Sequence, residues 1–408
     1  MTAEPLALYA HWPFCVSKCP YCDFNSHVRA SIDQDAWREA LLADLAHEAR
    51  QLPARQLTSI FFGGGTPSLM EPATVASIIE AATAHWAAAD AIEITLEANP
   101  NSVEASRFAD LAAAGVNRLS LGLQSFDERA LAFLGRAHSA REGWAALETA
   151  QKHFPRVSFD LIYALPGDTE TGWSATLAQA LSLGTTHLSL YQLTIEPGTR
   201  FAALHAAGKL KTLDPDRAAA LFELTQDMTA AAGMPAYEIS NHARRGRESR
   251  HNLTYWRYGD YAGVGPGAHG RRLGMRTVRH RKPENFRSAV RRNGHGIAEE
   301  ALLTAGEAAD EALVMGLRLR EGVDVEAIAE RFGARVVEWP RVERLVRSGH
   351  LRRAGTRIAL TAKGRLLLDH ILGEIAAPAL IASEAGAPPL ASVAAEPQLA
   401  ALAHSSSP

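Results

Sequence analysis

The stretch HWPFCVSKCPYC occupies residues 11–22 and carries Cys15, Cys19 and Cys22. These are all the cysteines of the 408-residue chain, so they cannot form a disulfide framework. A tight cysteine cluster in a chain without such a framework favours metal or redox chemistry. The C-x3-C-x2-C spacing lets three thiolates surround one metal centre. It therefore predicts a metal site in the loop that follows the first strand.

Two kinds of metal centre are compatible with this spacing. A structural zinc ion takes four ligands, and His11 would complete a Cys3His site with the three thiolates. A 4Fe–4S cube normally takes four thiolates, so three of them leave one iron open to an exchangeable ligand. An open iron indicates chemistry, whereas a closed zinc site indicates a scaffold without catalysis.

On both sides of this loop, short β-branched or aromatic runs alternate with longer helical patterns through the first half of the chain. This alternation is typical of parallel strands joined by crossover helices. Residues 35–52 carry Trp37, Leu41 and Leu45 at helical spacing and predict an amphipathic helix on the sheet. We therefore predict an α/β fold with an open six-unit (β/α) barrel. Its strands are predicted at residues 6–13, 57–63, 92–98, 118–124, 157–164 and 187–194.

The rest of the chain changes in composition. The predicted parts are the barrel at 1–200, a barrel extension with the HNLTYW and GAHG segments at 201–303, a small C-terminal domain at 304–375 and a tail at 376–408. The extension is predicted to begin with a helix at about 215–232. The tail is rich in Ala, Pro and Ser, and we expect it to be disordered because it has too little apolar surface to offset its chain entropy.

The C-terminal domain has a pattern of short helices followed by a hairpin. The helices are predicted at residues 307–319, 325–332 and 342–348. The hairpin is predicted at 351–360, with Gly355 at its turn. This order of elements indicates a winged-helix-like domain.

A glycine-rich segment, FFGGGTP at residues 61–67, ends the second predicted strand. Successive glycines allow a backbone to approach a ligand closely. The segment is not a P-loop, because the Gly-x4-Gly-Lys spacing and its lysine are absent. Functional groups of (β/α) barrels collect at the carboxyl ends of strands, so this position favours a ligand site over a simple turn.

Polar residues recur at the same edge of the predicted sheet. Glu97 ends the third strand, Gln124 ends the fourth, and Asp160 lies within the apolar run of the fifth. Arg136, which follows the next short helix, would supply a cation for a carboxylate, although alone it would be interpreted as a solvated arginine. Together these residues predict a site for a polar ligand beside the cysteines.

The formal net charge of −3 gives no whole-protein reason to expect nucleic acid or an anionic membrane as a partner. No stretch reaches about 18 apolar residues without charge, so we predict no membrane span and a cytoplasmic protein.

A basic run in the C-terminal domain suggests a function of another class, a nucleic-acid-binding or RNA-modifying protein. Glu330, Glu338 and Glu343 interrupt the run, which makes a solvated charged face the preferred interpretation and argues against nucleic acid as a partner. The arginines of the run are Arg331, Arg335, Arg341, Arg344, Arg347, Arg352, Arg353 and Arg357.

Residues 9–167 resemble the radical S-adenosylmethionine superfamily. The resemblance rests on the cysteine motif, with an aromatic residue before its last cysteine, and on GGGTP after the second strand. Within the superfamily, residues 5–375 resemble the family of the heme chaperone HemW, relatives of the oxygen-independent coproporphyrinogen III oxidase. The similar segments are CPYCDFNSH, FFGGGTPSLM, NRLSLGLQSFD, FDLIYALPG, YEISN, HNLTYW and GDYAGVGPGAHG.

The resemblance implies three cofactors: a 4Fe–4S cluster, S-adenosylmethionine and heme. It makes Cys15, Cys19 and Cys22 the ligands of the cluster. A cation such as Arg136 would pair with the carboxylate of S-adenosylmethionine. The residues implied to contact S-adenosylmethionine are Tyr9 at the entry of the site, Gly64, Gly65 and Thr66 at the methionine moiety, and Glu97, Gln124, Arg136 and Asp160 at the polar groups.

The implied function is that of a heme chaperone, which receives electrons from a donor and delivers heme to an acceptor protein. The oxidase relatives carry a further cysteine where this chain has Phe24, and a longer segment where it has only residues 1–14 before the motif. Both differences favour the chaperone over the oxidase. Histidine is a common axial ligand of heme iron, so His251 in HNLTYW is the first candidate, followed by His242 and His269. Cleavage of S-adenosylmethionine and formation of a homodimer are left open.

Overall fold

The first half of the chain alternates strands and helices, in a computed structural model that describes residues 3–377. The predicted helix at 35–52 begins where the Asp33 side chain accepts a hydrogen bond from the amide of Ala36. The elements of this half are β1 Pro5–Trp12, β2 Phe14–Cys15, β3 His27–Val28, α1 Gln34–Gln51, β4 Gln56–Gly64, α2 Pro72–His85, β5 Ala87–Ala98, α3 Ser102–Ala105, α4 Phe108–Ala113, β6 Arg118–Gln124, α5 Glu128–Phe133, α6 Ala140–His153, β7 Arg156–Tyr163, α7 Glu170–Ser182, β8 His187–Gln192 and α8 Arg200–Ala206.

The strands β1, β4, β5, β6, β7 and β8 lie side by side in that order and run parallel. Side chains alternate between the faces of β1. Leu6, Leu8 and Trp12 pack into the apolar core formed with α1 and α2, whereas Tyr9 packs on the inner face with Phe61. The predicted α/β fold with an open six-unit barrel is confirmed.

The next stretch extends this sheet at both edges. Its elements are α9 Pro215–Ala231, β9 Asn241–Ala243, α10 Arg250–Trp256, β10 Tyr261–Val264, β11 His269–Arg272, β12 Met275–Arg279, α11 Pro283–Asn293 and β13 Ile297–Leu302. β9 pairs antiparallel with β8, and β10 pairs parallel with β1. β11, β12 and β13 then continue antiparallel beyond β10. From sequence we predict only one helix here, because strands of three or four residues such as β9 and β10 are too short for a periodicity argument.

The C-terminal part has the expected order of helices and hairpin. Its elements are α12 Ala305–Leu317, β14 Val323–Asp324, α13 Val325–Phe332, α14 Trp339–Arg347, β15 Leu351–Ala354, β16 Arg357–Leu360, α15 Ala362–Arg365 and α16 Leu368–Ile375. The strands form a small sheet in the order β14-β16-β15, and Gly355 has a φ of +63° at the hairpin turn. Leu313, Val342, Ile358 and Ile371 belong to a separate apolar core.

The described chain ends against this domain, where Ala376 forms a β-bridge with Val337. The predicted disordered tail, from residue 378 onward, lies outside the described residues. Between residues 3 and 377 no helix has the length and apolar character needed to cross a membrane.

Candidate functional site

The cysteine loop leaves the carboxyl end of β1 and lies against the glycine-rich end of β4. The amide of Gly65 donates to the carbonyl of Trp12 at 2.7 Å, and the amide of Thr66 donates to the carbonyl of Phe14 at 2.8 Å. The short strands β2 and β3 pair within the loop and close it on itself. All three thiols are half-buried and line one cavity.

Glycine is required at the end of β4 because the cysteine loop approaches it so closely. Gly64 has a φ of +115°, and a Cβ there would lie 2.7 Å from the ring of His11 and 2.8 Å from the carbonyl of Trp12. A Cβ at Gly65 would lie 3.0 Å from the sulfur of Cys15. The close approach predicted from FFGGGTP therefore includes the backbone of the cysteine loop itself.

The thiols have an environment that suits a metal centre. Burial raises the pKa of the Cys15 thiol and raises that of Cys22 to about 12. Thr66 Oγ1 donates to Cys15 Sγ at 3.4 Å, and Arg136 Nη1 donates to Cys19 Sγ at 3.4 Å. The bond from Thr66 favours the Cys15 thiolate, the form that binds metal, and acts against the effect of burial.

The geometry does not favour zinc with His11 as a fourth ligand. His11 Nδ1 lies 2.9 Å from the hydroxyl of Tyr9, and Nε2 lies 3.0 Å from the carbonyl of Asn25, so both ring nitrogens are engaged. Among the described residues, no group of three or more His, Cys, Asp or Glu side chains surrounds a single ion position. A cube held by three thiolates needs no fourth ligand from this chain, because its open iron takes an exchangeable one.

The cavity has a volume of about 240 Å³ and lies at the carboxyl ends of the parallel strands. It brings together most of the residues expected there. These are Cys15, Cys19, Cys22, Gly64, Gly65, Thr66, Glu97, Gln124, Arg136 and Asp160. Functional groups of parallel barrels converge at this edge, so the shared position of these residues supports a ligand site.

Arg136 is not the solvated helix-end residue that its sequence position alone would suggest. Its Nη2 donates to Asn99 Oδ1 at 2.6 Å and to the carbonyl of Gly122 at 2.9 Å. Because the half-buried guanidinium lies at the cavity wall and is held from two sides, it presents a fixed cation to whatever the cavity binds. Asn99 also donates to Thr66 Oγ1 at 3.1 Å.

Asp160 lies on the floor of the cavity. Burial raises the pKa of its carboxyl to about 6, against the hydrogen bond from Ser189 and the charge of Arg118, which act in the opposite direction. Gln124, at the end of β6, has a φ of +66°, in the left-handed region that residues other than glycine rarely adopt. Strained backbone of this kind is common at ligand sites.

Two expected residues do not line this cavity. Tyr9 and His251 pack together behind it, with ring centroids 6.2 Å apart. His251 is only 2% exposed; its Nδ1 lies 3.2 Å from Ser59 Oγ and its ring stacks on Phe61 at 4.7 Å. Burial lowers the pKa of His251 to about 3. Its backbone amide donates to Glu93 Oε1 at 3.2 Å.

This contact places α10 at the end of the barrel opposite the cysteine loop. Ser59 and Glu93 precede Gly64 and Glu97 on the same two strands, β4 and β5. His251 therefore lies on the amino-terminal side of the cavity, enclosed by aromatic rings. Its role as a heme ligand stays a prediction.

The other two histidine candidates lie elsewhere. His242 is buried on β9, where burial lowers its pKa to about 3 and Nε2 lies 3.4 Å from Gln226 Nε2. His269 is half-buried at the start of β11, and burial lowers its pKa to about 4.

Sequence reasoning missed Asn99 and Tyr191, which also line the cavity. Asn99 and Tyr191 come at or just after the carboxyl ends of β5 and β8, so the rule that selected Glu97 and Gln124 could have selected them. Phe24, two residues after the last cysteine and named from sequence as a difference from the oxidase relatives, lines the cavity as well.

Comparison with known proteins agrees with this geometry. The profile of the Radical SAM superfamily matches residues 9–180, and the profile of the HemN C-terminal domain matches residues 303–367. The mitochondrial radical S-adenosyl methionine domain-containing protein 1 of Bos taurus is 40% identical over 379 residues, which cover 90% of this chain and 83% of the relative. The heme chaperone HemW of Escherichia coli is 38% identical over 379 residues, with 90% and 97% covered.

Among solved structures, the coproporphyrinogen III oxidase HemN of Escherichia coli superposes with a TM-score of 0.76 and 23% identity, covering 91% of this chain and 90% of that one. This likeness concerns the fold. The relatives of higher identity that span nearly the whole sequence decide the family, and the chain therefore belongs to the HemW family of the radical S-adenosylmethionine superfamily.

Proposed function

We propose that this chain is a heme chaperone that carries a 4Fe–4S cluster on Cys15, Cys19 and Cys22, binds S-adenosylmethionine beside the cluster and delivers heme to an acceptor protein. The observation that carries the proposal is the single cavity lined by the three thiols, by the glycine-rich end of β4 and by polar groups from four strands. The relatives named heme chaperones support the heme part.

Different cavity residues would bind different parts of S-adenosylmethionine. Arg136 would pair with the carboxylate of S-adenosylmethionine, because a guanidinium can form charge-assisted hydrogen bonds with it. Gly64, Gly65 and Thr66 line the cavity beside the cysteine loop and would contact the methionine moiety. Glu97, Gln124 and Asp160 would form hydrogen bonds with the other polar groups of S-adenosylmethionine. When bound and reduced by a donor protein, the cluster supplies a low-potential electron to this site.

Heme ligation needs a change in the described conformation if His251 is the ligand. His251 is enclosed between Phe61 and Tyr255, and Nε2 has no hydrogen-bond partner among the residues described. An axial bond from this nitrogen to iron requires α10 to move away from the end of the barrel. We therefore expect heme binding at His251 to loosen α10.

Conversion of coproporphyrinogen III is not part of the proposal. Phe24 lines the cavity at the place in the sequence where the oxidase relatives carry a further cysteine, so that thiol is absent from this site. The similarity to the solved oxidase concerns the fold alone.

Nucleic-acid binding is also not favoured by the contacts of the C-terminal arginines. Most of them already bond to groups of the same chain, which supports the interpretation as an ordinary charged face. Contacts of this kind are made by Arg331, Arg335, Arg341, Arg344, Arg352, Arg353 and Arg357.

The cofactor content can be tested with one anaerobically reconstituted sample. We expect about four irons per chain, and loss of the cluster in Cys19→Ala because two thiolates cannot hold it. We expect saturable S-adenosylmethionine binding by calorimetry and a saturable Soret band on titration with hemin. His251→Ala should lower heme affinity or shift that band, and hydrogen exchange of residues 250–256 should rise when hemin is bound.

Three outcomes would contradict the proposal. Stoichiometric zinc without iron would remove the cluster, and the absence of hemin binding would remove the chaperone function. Conversion of coproporphyrinogen III to protoporphyrinogen IX by the same sample would replace the chaperone with the oxidase. An unaltered heme spectrum in His251→Ala would transfer the ligand role to another residue.

We also propose a cytoplasmic location, which the sequence pattern supports, although the relative from Bos taurus is named mitochondrial. Cell fractionation followed by immunoblotting tests this, and recovery of the chain with membranes or organelles would contradict it.

A further inference from the structure

A buried arginine lies inside the barrel beneath the cavity. Arg118, on β6, is 3% exposed, and within residues 3–377 its guanidinium forms no ion pair. Nη1 donates to Thr95 Oγ1 at 3.3 Å, and Nη2 donates to Ser158 Oγ at 3.0 Å. A buried charge is costly unless hydrogen bonds and other charges compensate it, so an arginine without an ion pair at this position calls for an explanation.

Hydroxyl groups connect this arginine to the cavity floor. Ser158 Oγ lies 3.0 Å from Ser120 Oγ, and Ser120 Oγ donates to Asp160 Oδ1 at 3.5 Å. Ser120 and Asp160 line the cavity, whereas Arg118 and Ser158 lie two positions earlier on the same faces of β6 and β7. Side chains of β6 and β7 thus form a ladder of hydrogen bonds from the Arg118 guanidinium to the Asp160 carboxyl group.

The charge of Arg118 also acts on Asp160. It favours the ionised carboxylate and partly offsets the burial that raises the pKa of Asp160 to about 6. The charge of Arg136, beyond α5, also acts on this carboxyl, and the carboxyl in turn acts on Tyr191 of β8. Glu97 on β5 lines the same cavity. Ser189, paired with Asp160 across β7 and β8, donates a further hydrogen bond.

We propose that Arg118, acting through Ser158 and Ser120, is a positioning residue that aims the Asp160 carboxylate into the cavity to accept a hydrogen bond from bound S-adenosylmethionine. The inference rests on the proposed function, because it takes S-adenosylmethionine as the ligand of the cavity. Arg118 does not line the cavity, so its effect on binding would be indirect.

The proposal predicts a particular dependence of affinity on pH. A carboxylate accepts hydrogen bonds, and protonation removes part of that capacity. Affinity for S-adenosylmethionine should therefore be high above the pKa of Asp160, about 6, and should fall as pH drops through it. Removing the cation or breaking the ladder raises this pKa, so the fall should move to higher pH.

The experiment measures S-adenosylmethionine affinity of the reconstituted holoprotein across pH 5 to 8 by equilibrium dialysis. Arg118→Met and Ser158→Ala should shift the midpoint of the fall upward, and near that midpoint weaken binding by up to about tenfold. Asp160→Asn should bind weakly without this pH dependence. Thr95→Val is the matched control, because it removes a hydrogen bond of Arg118 that does not lead to Asp160 and should keep the wild-type midpoint.

Circular dichroism and iron content show whether each variant folds. If Arg118→Met does not fold, Ser158→Ala still tests the proposal. An unshifted midpoint in Ser158→Ala, a wild-type affinity independent of pH, or an unchanged profile in Asp160→Asn would each overturn the role of Arg118. A wild-type holoprotein that does not bind S-adenosylmethionine would instead overturn the proposed function.

Discussion

At the scale of single residues, Arg136 is held by contacts of three kinds. It donates to a side-chain amide at Asn99, to a backbone carbonyl at Gly122 and to the sulfur of Cys19. These contacts fix the guanidinium before any ligand arrives, so little conformational entropy is lost on binding. Tyr9 has a different position, since its hydroxyl bonds to His11 Nδ1 on the inner face of β1.

We predict that Arg136→Ala weakens binding of S-adenosylmethionine by about tenfold or more, because a charge-assisted hydrogen bond contributes about 1.5 to 3 kcal/mol. Iron content should be retained, since the thiols stay in place. Calorimetry on the reconstituted protein measures the affinity.

Two control variants sharpen this prediction. Arg129→Ala removes an exposed arginine from neighbouring α5 and should leave the affinity unchanged. Tyr9→Phe should lower the free energy of unfolding by about 0.5 to 1.5 kcal/mol through the lost bond to His11, and also leave the affinity unchanged. A large loss of affinity in Tyr9→Phe would return Tyr9 to the binding site.

At the scale of elements, the end of β4 decides where the cysteine loop lies. Two backbone hydrogen bonds join residues 65 and 66 to the loop, and the left-handed backbone of Gly64 turns the chain beneath it. At the other end of the barrel, α10 closes the strands with His251 pointing inward. The two ends of the barrel therefore carry two different sequence motifs.

We predict that Gly64→Ala displaces the cysteine loop and lowers iron incorporation, because its Cβ would overlap the ring of His11 and the carbonyl of Trp12. Gly167→Ala is a matched control, since Gly167 also has a positive φ, +91°, but nothing lies within 4 Å of its added Cβ. Both variants place alanine in a left-handed backbone conformation, which is strained. The overlap should lower the free energy of unfolding of Gly64→Ala by roughly 1 to 3 kcal/mol more than that of Gly167→Ala. Iron analysis and thermal unfolding compare them, and equal losses would show that only the backbone conformation matters.

At the scale of the whole molecule, a buried ion cluster attaches the extension strands to the barrel. Arg279 Nη2 lies 2.6 Å from Glu48 Oε1 and its Nε lies 3.3 Å from Asp44 Oδ2, and all three side chains are almost fully buried. Arg272 Nε lies 3.0 Å from Glu48 Oε2. Asp44 also accepts from the amide of Gly265 at 3.1 Å, so α1 holds both β12 and the loop after β10.

We predict that Arg279→Met lowers the free energy of unfolding by about 3 to 5 kcal/mol, because it leaves the buried Asp44 carboxylate without a cation and Glu48 with Arg272 alone. Arg29→Ala is the control: its pair with Glu284 is exposed at 41% and 65%, and such pairs contribute about 0 to 1 kcal/mol. Urea unfolding measures both. A loss of stability in Arg279→Met no larger than in Arg29→Ala would show that the cluster adds little to stability.

The sequence by itself determined the parallel strands, the cysteine loop and the edge of the sheet at which polar groups collect. These features follow from local spacing, because hydrophobic periodicity defines strands and helices and parallel strands present their carboxyl ends together. Glu97, Gln124 and Asp160 were predicted as neighbours on that basis, and they line one cavity. Arg136 lines it too, but its place there was implied by the family resemblance.

Only the tertiary structure decided which side chains turn away from that cavity. Tyr9 and His11 lie on the strand that leads to the cysteines, but their rings bond to each other and to the backbone of Asn25. His251 comes from a helix far along the chain, and the packing of α10 against Ser59 encloses it. Spacing along a sequence does not specify these partners, because they depend on strand register and on contacts between residues distant in the chain.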